Sequence, residues 1–239
     1  MSSYFAPSDE VTDYEDDNDF GSGGSALVLN LPSGSPQHLV IGGGKDGALY
    51  LLNGDSMGGK GDANARQCFL NRAGNVPCGG GNYGAGIFAT AAFWNNTLYI
   101  AGLDGPVNAY TFNPASALFS ITAASSSPTA FGFPGSSPSI SAAGTADNGI
   151  VWALDNSQYC TPQSPGCGPA VLHAYDATNL ASELWNSALT GSDAAGNAVK
   201  FTVPTVANGK VYVGTRGNNV GGTYGSTNVA GEVDVYGLK

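Results

Sequence analysis

The chain has 239 residues, of which 42% are hydrophobic and only 11% are charged, so it can form one sizeable domain with a buried core. Its formal net charge is −10 and its 8 basic residues are not clustered, which argues against nucleic acid or an anionic membrane as a partner. No apolar run approaches 18 residues, so no membrane-spanning helix is expected. The 36 glycines and 13 prolines are spread along the chain, which favours many short strands and turns.

The first distinctive segment is acidic. Residues 8–24, SDEVTDYEDDNDFGSGG, combine a dense run of carboxylates with a Gly-rich end. Carboxylate oxygens bind Ca²⁺ when the chain bends so that several of them converge, and Asp16, Asp17 and Asp19 are placed for that. The spacing is not that of an EF-hand, and blocks of like charge are commonly solvated loops. The segment is therefore either a Ca²⁺ site formed by these three residues or a solvated acidic loop.

A β-hairpin follows at residues 40–53, VIGGGKDGALYLLN. One apolar run ends at three glycines, and a second run begins after Asp46-Gly47. An Asp-Gly pair between two β-rich runs predicts a hairpin, because glycine adopts the positive φ that a tight turn needs.

Three later segments repeat this hairpin pattern, at 93–115, 148–179 and 208–238. The last strand residues before the four corners are Ile41, Ile100, Trp152 and Val213. A unit of several antiparallel strands that recurs about every 50 to 60 residues is typical of a β-propeller. The alternative is a β-sandwich in which the similarity of the four copies is coincidental.

Short segments of small residues precede each copy. They span 21–25, 89–92, 135–138 and 203–206. Small side chains would let several strands approach a common axis, so we expect these segments to be the inner strands of the blades.

Several stretches resemble the blade motifs of PQQ-like repeat propellers, in particular secreted bacterial members of the quinoprotein-dehydrogenase-like superfamily. These stretches are GGGKDGALYLLN, AVLHAYDATNLASELW, NGKVYVGT and GEVDVYGL. The resemblance covers nearly the whole chain and implies one all-β propeller domain, 1–239, of about four four-stranded blades. The expected blades span approximately 19–75, 76–128, 129–190 and 200–239. In this family a Trp marks the fourth strand of a blade, as Trp185 does here.

The sequence leaves two alternatives for how the propeller ring closes. The fourth copy ends without a fourth strand, and an N-terminal strand at 3–8 resembles the last strand of a preceding blade. Either that strand closes the ring by completing the last blade, or the chain is part of a larger or associated propeller. An open ring would expose strand edges and an apolar face, so we expect self-association through those edges.

The four cysteines form two local pairs, Cys68 with Cys78 and Cys160 with Cys167. Both pairs lie in polar loops that contain proline and glycine, which favours two loop-stapling disulfides over free thiols or metal ligands. Disulfides indicate an oxidising compartment, so we expect a secreted protein, extracellular or periplasmic. The polar, acidic N-terminus predicts that no signal peptide is present in this chain.

Aromatic residues in Gly-rich loops suggest a binding surface. Tyr83, Phe88, Phe131 and Phe133 precede inner strands, where such loops would line one mouth of the propeller channel. Aromatic rings with Asn and Asp neighbours can stack on sugars, so a glycan or a protein is the expected ligand. The alternative is that these rings plug the channel or pack between blades.

Enzymatic chemistry has less support. PQQ would need basic partners, a Trp platform and Ca²⁺, for which the candidates are Lys45, Arg66, Arg72, Arg216, Trp94, Trp152 and Trp185. The adjacent-cysteine pair of the quinone alcohol dehydrogenases is absent, and no hydrolase nucleophile elbow occurs. We therefore expect no catalytic residues and a non-catalytic binding or self-assembly scaffold. The alternative is a PQQ-dependent oxidoreductase, or a fragment of one, that acts on alcohols or sugars.

Overall fold

The structure of the protein, a computed structural model, describes residues 3–24, 27–31, 36–69, 86–144, 147–216, 223–225 and 230–237. The fold is almost entirely β, as predicted. The strands in chain order are β1 (Phe5–Ala6), β2 (Leu27–Asn30), β3 (His38–Gly43), β4 (Leu49–Asn53), β5 (Gly59–Lys60), β6 (Gln67–Phe69), β7 (Ala92–Trp94), β8 (Thr97–Ala101), β9 (Gly105–Asn113), β10 (Leu118–Phe119), β11 (Ser125–Phe131), β12 (Ser139–Ser141), β13 (Ile150–Asp155), β14 (Val171–Asp176), β15 (Glu183–Asn186), β16 (Thr205–Ala207), β17 (Lys210–Thr215) and β18 (Glu232–Gly237). The helical elements are α1 (Glu10–Glu15) and two 3₁₀ turns, Asp62–Asn64 and Gly191–Asp193.

Apart from β1 and β5, which pair with each other, the strands form four consecutive antiparallel sheets. The first sheet has the order β2-β3-β4-β6, the third β12-β13-β14-β15 and the fourth β16-β17-β18. In the second sheet β7, β8 and β9 are neighbours, and both β10 and β11 pair with β9 at different points along its length. Each sheet is an up-and-down meander built from one stretch of chain, and each packs on the next, which is the architecture of a β-propeller. The predicted fold class is therefore confirmed.

Side chains along each central strand alternate between its two faces, so each of these strands contributes to two cores. In β8, Leu98 and Ile100 belong to the core between the first and second sheets, whereas Tyr99 belongs to the core between the second and third. Successive side chains of a strand point to opposite faces, so a strand buried on both faces is apolar throughout. A third core, which includes Leu172 and Val213, joins the third sheet to the fourth.

The small-residue segments lie mostly at the entrances to the inner strands rather than in them. The first strands of the four sheets begin at Leu27, Ala92, Ser139 and Thr205. Glycine, proline and, to a lesser degree, alanine have low β-propensity, which explains why the strands start later than we predicted. Their small size is still needed, since a Cβ on Gly23 would lie 2.9 Å from both Gly43 O and Ile87 Cγ2.

The N-terminal segment covers the outer face of the first sheet. Strand β1 pairs in parallel with β5, which places Phe5 opposite Gly59. The rings of Phe5 and Phe20 pack on Tyr50 at centroid distances of 5.0 and 5.5 Å. The N-terminal strand therefore does not complete the fourth sheet, which overturns the alternative in which it closes the ring that way.

The described part of the fourth sheet packs on the third sheet. In the part of the chain that the structure describes, the cores join sheets that are consecutive in sequence, and none of them joins the fourth sheet to the first. Strand β18 pairs there only with β17, and Val233 and Val235 on it are 63% and 50% exposed. None of the helices described here is long or apolar enough to span a membrane.

Candidate ligand-binding site

The propeller topology gathers two kinds of loops at one end of the sheets. In an antiparallel meander, the link between the second and third strands lies at the same end as the link that leads to the next sheet. Backbone hydrogen bonds join these loops: Ile87 N donates to Gly44 O (2.9 Å), and Ala198 N donates to Gly168 O (2.8 Å). We call this end of the molecule the loop end.

Four aromatic rings meet at the loop end. The ring of Phe133 is central, at centroid distances of 5.0 Å from Phe88, 6.1 Å from Tyr159 and 6.1 Å from Phe201. These distances are within the range of favourable aromatic pairs. The rings come from four different loops, so this aromatic cluster forms only when three sheets are packed side by side.

An ammonium group lies against three of these rings. Lys200 Nζ is 5.1 Å from the centroid of Tyr159, 5.7 Å from that of Phe133 and 5.8 Å from that of Phe201. Each distance is within the range of a cation–π interaction, in which the negative face of the ring attracts the cation. The aromatic cluster is therefore already a cation-binding surface within this chain.

The backbone of Phe201 is unusual. Its φ is 65°, in the left-handed region that bulky side chains rarely adopt, and the residue is 56% exposed. The following residue is anchored, since Asn156 Nδ2 donates to Thr202 O (3.4 Å). Backbone outliers of this kind concentrate at functional sites, where the surrounding structure sustains the strain.

The predicted surface residues have three different outcomes. Phe88 and Phe133 lie together in the aromatic cluster. Phe131 is fully buried between the second and third sheets, with its ring 5.6 Å from that of His173, so for this residue the alternative of packing between blades is correct. Tyr83 lies outside the described residues. Tyr159 and Phe201 were not predicted as surface residues, although Phe201 also precedes an inner strand and the same rule applies to it.

The second cysteine pair stabilises a loop next to the cluster. Cys160 and Cys167 form a disulfide, as predicted, and Tyr159 of the cluster directly precedes it. Arg216 Nη1 lies 2.9 Å from Cys160 Sγ. Cys68 is also disulfide-bonded, whereas Cys78 lies outside the described residues, so their pairing stays a prediction.

Of the residues considered for a quinone site, Trp152 and Trp185 line one cavity between the third and fourth sheets. Trp152 Nε1 donates to Ser141 Oγ at 2.9 Å, and the Trp185 ring packs on Tyr236 at 5.6 Å. Arg66 donates to Ser116 O at 3.2 Å, whereas Arg216 Nη1 contacts Cys160 Sγ. Arg72 lies outside the described residues. The described basic candidates Lys45, Arg66 and Arg216 are not among the residues that line this cavity.

The acidic segment holds a lysine where calcium is predicted. Lys45 Nζ lies 3.0 Å from Asp17 Oδ2 and 2.8 Å from Asp19 Oδ2, and it donates to Asp17 O at 2.7 Å. The hydrogen bonds that Lys45 donates to the two carboxylates raise its pKa, and the bond to Asp19 has the larger effect. Among the described residues no group of three or more metal-ligating side chains is assembled. A Ca²⁺ ion on Asp16, Asp17 and Asp19, which stays a prediction, would have to displace this ammonium group.

Asp13 of helix α1 is a buried carboxyl group. It is 7% exposed, and its pKa is raised from 3.8 to about 6, first by burial and then by the negative charges of Asp9, Asp46, Asp62 and Asp16. Burial in a poorly solvated environment disfavours the charged form, and neighbouring carboxylates add to this effect. Ionised Asp13 therefore opposes docking of the N-terminal segment on the first sheet.

We expect stability to fall as pH rises from about 4 through about 6, because the pKa of Asp13 is higher in the folded than in the unfolded chain. The variant Asp13→Asn should show a smaller decline over this range and should exceed wild-type stability at pH 8. Urea unfolding at a series of pH values measures this. Glu15→Gln, which removes a carboxylate from an exposed position of the same helix, is the control. A loss of stability in Asp13→Asn at pH 8 would contradict the expectation.

Comparison with known proteins identifies no family. No protein-family model and no curated protein matches the chain. Among solved structures, the computationally designed Ika8 protein is similar with a TM-score of 0.46 and 11% identity over 89% of this chain and 46% of Ika8. The designed Ika4 protein has a TM-score of 0.46 and 12% identity over 90% of this chain and 93% of Ika4. BamB from Moraxella catarrhalis has a TM-score of 0.40 and 14% identity over 83% of this chain and 46% of BamB. The chain thus spans about half the length of Ika8 and of BamB.

Proposed function

We propose that this protein is a secreted, non-catalytic propeller of the PQQ-like repeat type that binds a ligand at the aromatic cluster. The observation that carries the proposal is the convergence of Phe88, Phe133, Tyr159 and Phe201 at the loop end. Binding residues are commonly placed on loops that a rigid scaffold holds in position, and here packed sheets hold them.

The conformation of Phe201 supports a role in binding rather than in packing. A packing role would bury the ring, yet the residue is 56% exposed. A sparsely populated backbone conformation costs on the order of 1 to 3 kcal/mol, and an exposed ring gains too little from burial to offset that cost. A bound ligand that covers the ring would offset it.

The disulfide supports secretion. Disulfides persist in oxidising compartments and are rare in the cytosol, where thiols are kept reduced. The Cys160–Cys167 bond lies next to the aromatic cluster, so an oxidising environment would also keep the loop of Tyr159 in place.

Ligand-observed NMR tests the proposed site. A panel of soluble saccharides and small organic cations is added to wild-type protein, to Phe133→Ala and to Tyr14→Ala, in which an exposed ring outside the cluster is removed (Tyr14 is 87% exposed). We expect at least one panel member to bind wild type and Tyr14→Ala and to bind Phe133→Ala at least about tenfold more weakly, a loss typical of a binding hot spot. Binding that survives Phe133→Ala unchanged would overturn the proposed site.

The partly exposed strand β18 of the fourth sheet favours self-association as a second property of the scaffold. Between the third and fourth sheets lies a cavity of about 800 Å³, which we call the wedge, and its lining includes Trp152, Leu184 and Tyr236. Two β18 strands that pair antiparallel about a two-fold axis at Val235 would place the two Val235 residues opposite each other and Asp234 opposite Tyr236 of the second copy. Apolar cross-strand pairs stabilise a sheet, and in this register Asp234 does not face another carboxylate.

We therefore expect light scattering to give a mass of about twice the 24.1 kDa of one chain. Val235→Asp should give the monomer mass, because the two introduced carboxylates would lie opposite each other and like charges directly opposite are destabilising. Ile121→Asp, at a position that is 78% exposed in the loop between β10 and β11, is the control and should leave the dimer intact. A wild-type mass equal to one chain would refute self-association.

A further inference from the structure

We propose that the aromatic cluster recognises a quaternary ammonium group, and that Lys200 occupies this site as an internal cation when no ligand is bound. The inference rests on the proposed function, since it names the ligand chemistry of the same cluster. Its starting point is that Lys200 Nζ lies within 6 Å of three ring centroids, those of Phe133, Tyr159 and Phe201. Faces of three rings directed at one cation form the kind of cage that binds methylated ammonium groups.

The lysine is a weak occupant of this cage. A primary ammonium is a compact, strongly hydrated charge on a flexible stem, so it gives up hydration and side-chain freedom when it lies against aromatic rings. Lys200 is an exposed residue, which keeps its ammonium group close to water. A quaternary ammonium has no N–H groups to desolvate, and its methyl groups can fill the apolar space between the rings. It should therefore replace the lysine.

The surroundings favour a positive ligand. The net charge of the chain is −10, which attracts cations at long range. Near the cluster, a Cβ on Gly132 would lie 3.9 Å from Asp104 Oδ1, so a carboxylate lies beside the residue that precedes Phe133. Asn156 Oδ1 is buried without a hydrogen-bond partner among the described atoms, beside the loop that carries Phe201. Both oxygens add negative potential next to the rings.

Titration with choline tests the inference, with 3,3-dimethyl-1-butanol, the uncharged analogue of the same shape, as the control ligand. We expect Lys200→Ala to bind choline about three- to tenfold more tightly than wild type, because removal of the internal cation ends a competition of roughly that strength. Lys210→Ala removes the same charge from an exposed lysine in β17 and should bind choline like wild type. Phe133→Ala should lose choline binding, and the uncharged analogue should bind at least about tenfold more weakly than choline.

The source of the ammonium group is resolved by two further titrations, one with a peptide that carries trimethyllysine and one with phosphatidylcholine vesicles. Binding to any of the three probes that depends on Phe133 supports the inference, and the probe with the highest affinity identifies the source. The inference is overturned if Lys200→Ala binds none of them, or if the uncharged analogue binds as well as choline. A saccharide that binds in a Phe133-dependent way while all ammonium probes fail would overturn this inference alone and leave the proposed function intact.

Discussion

Replacing Leu172 by alanine is expected to lower the free energy of unfolding by about 3 kcal/mol, the usual cost of a large-to-small change in a packed core. Leu172 lies in β14, is 0% exposed, and packs in the core between the third and fourth sheets with Leu154 and Val213. The change removes apolar contacts and leaves a cavity that neighbouring strands cannot fully close. Urea unfolding followed by tryptophan fluorescence measures the loss.

The matched control is Leu184→Ala in the adjacent strand β15. Leu184 is 53% exposed, so the same substitution should change the free energy of unfolding by less than about 0.5 kcal/mol. Equal losses for the two leucines would contradict the packing of the third sheet against the fourth, because that packing is what makes the two positions different.

Removal of the Cys160–Cys167 disulfide is expected to lower the free energy of unfolding by about 2 kcal/mol. The two cysteines are 7 residues apart, and closing a loop of that length restricts the unfolded chain by roughly this amount. The double variant Cys160→Ala/Cys167→Ala in the urea assay measures the loss. Ser164→Ala, inside the same loop, controls for changes in loop sequence. An unchanged midpoint in the double variant would show that the bond does not stabilise the fold.

The same double variant should weaken binding at the aromatic cluster. Tyr159 directly precedes Cys160, and Gly168 N, just after the disulfide, donates to Gln158 O at 2.9 Å. Without the covalent link this loop gains conformational freedom, and ordering it on binding costs affinity.

The central hairpins could be predicted from the sequence because their signals are local. Strands β3 and β4 follow from apolar runs on either side of Asp46-Gly47, and β13 and β14 from the same pattern. The sequence determined less well which neighbouring sheet each side chain of these strands packs against. Ile41 packs towards the second sheet, whereas Ile100, aligned with it, packs back towards the first. A shift of one residue moves a side chain to the opposite face of a strand. Aligning the repeats by their turns alone therefore does not determine to which face of the sheet a side chain points.

The N-terminal segment could not be predicted in the same way. Strand β5 consists of Gly59 and Lys60, which carry no β-pattern, and its pairing with β1 depends on the packing of Phe5 against Tyr50. That contact joins residues far apart in sequence. The charge run in the acidic segment likewise did not reveal that Lys45 would bind Asp17 and Asp19.

The candidate site was partly predictable. Phe88 and Phe133 follow from the rule that loops before inner strands meet at one end of a propeller. Phe131 precedes the same inner strand, but it is the last residue of β11 and its side chain packs between the sheets. The turn from Gly132 to Gly135 places Phe133 at the surface instead. The contribution of Tyr159 depends on the course of a long loop, which the sequence pattern does not specify.

The most direct test of the account is to locate a bound ligand among the aromatic rings. The protein is labelled with ¹³C in its Phe, Tyr and Trp rings, and its spectrum is recorded while choline, or a saccharide from the panel that binds, is added. We predict shifts for Phe133, Tyr159 and Phe201 at the loop end and none for Trp185 and Tyr236 beside the wedge. Shifts at Trp185 and Tyr236, with the rings of the aromatic cluster unchanged, would contradict the account and place ligand binding between the third and fourth sheets.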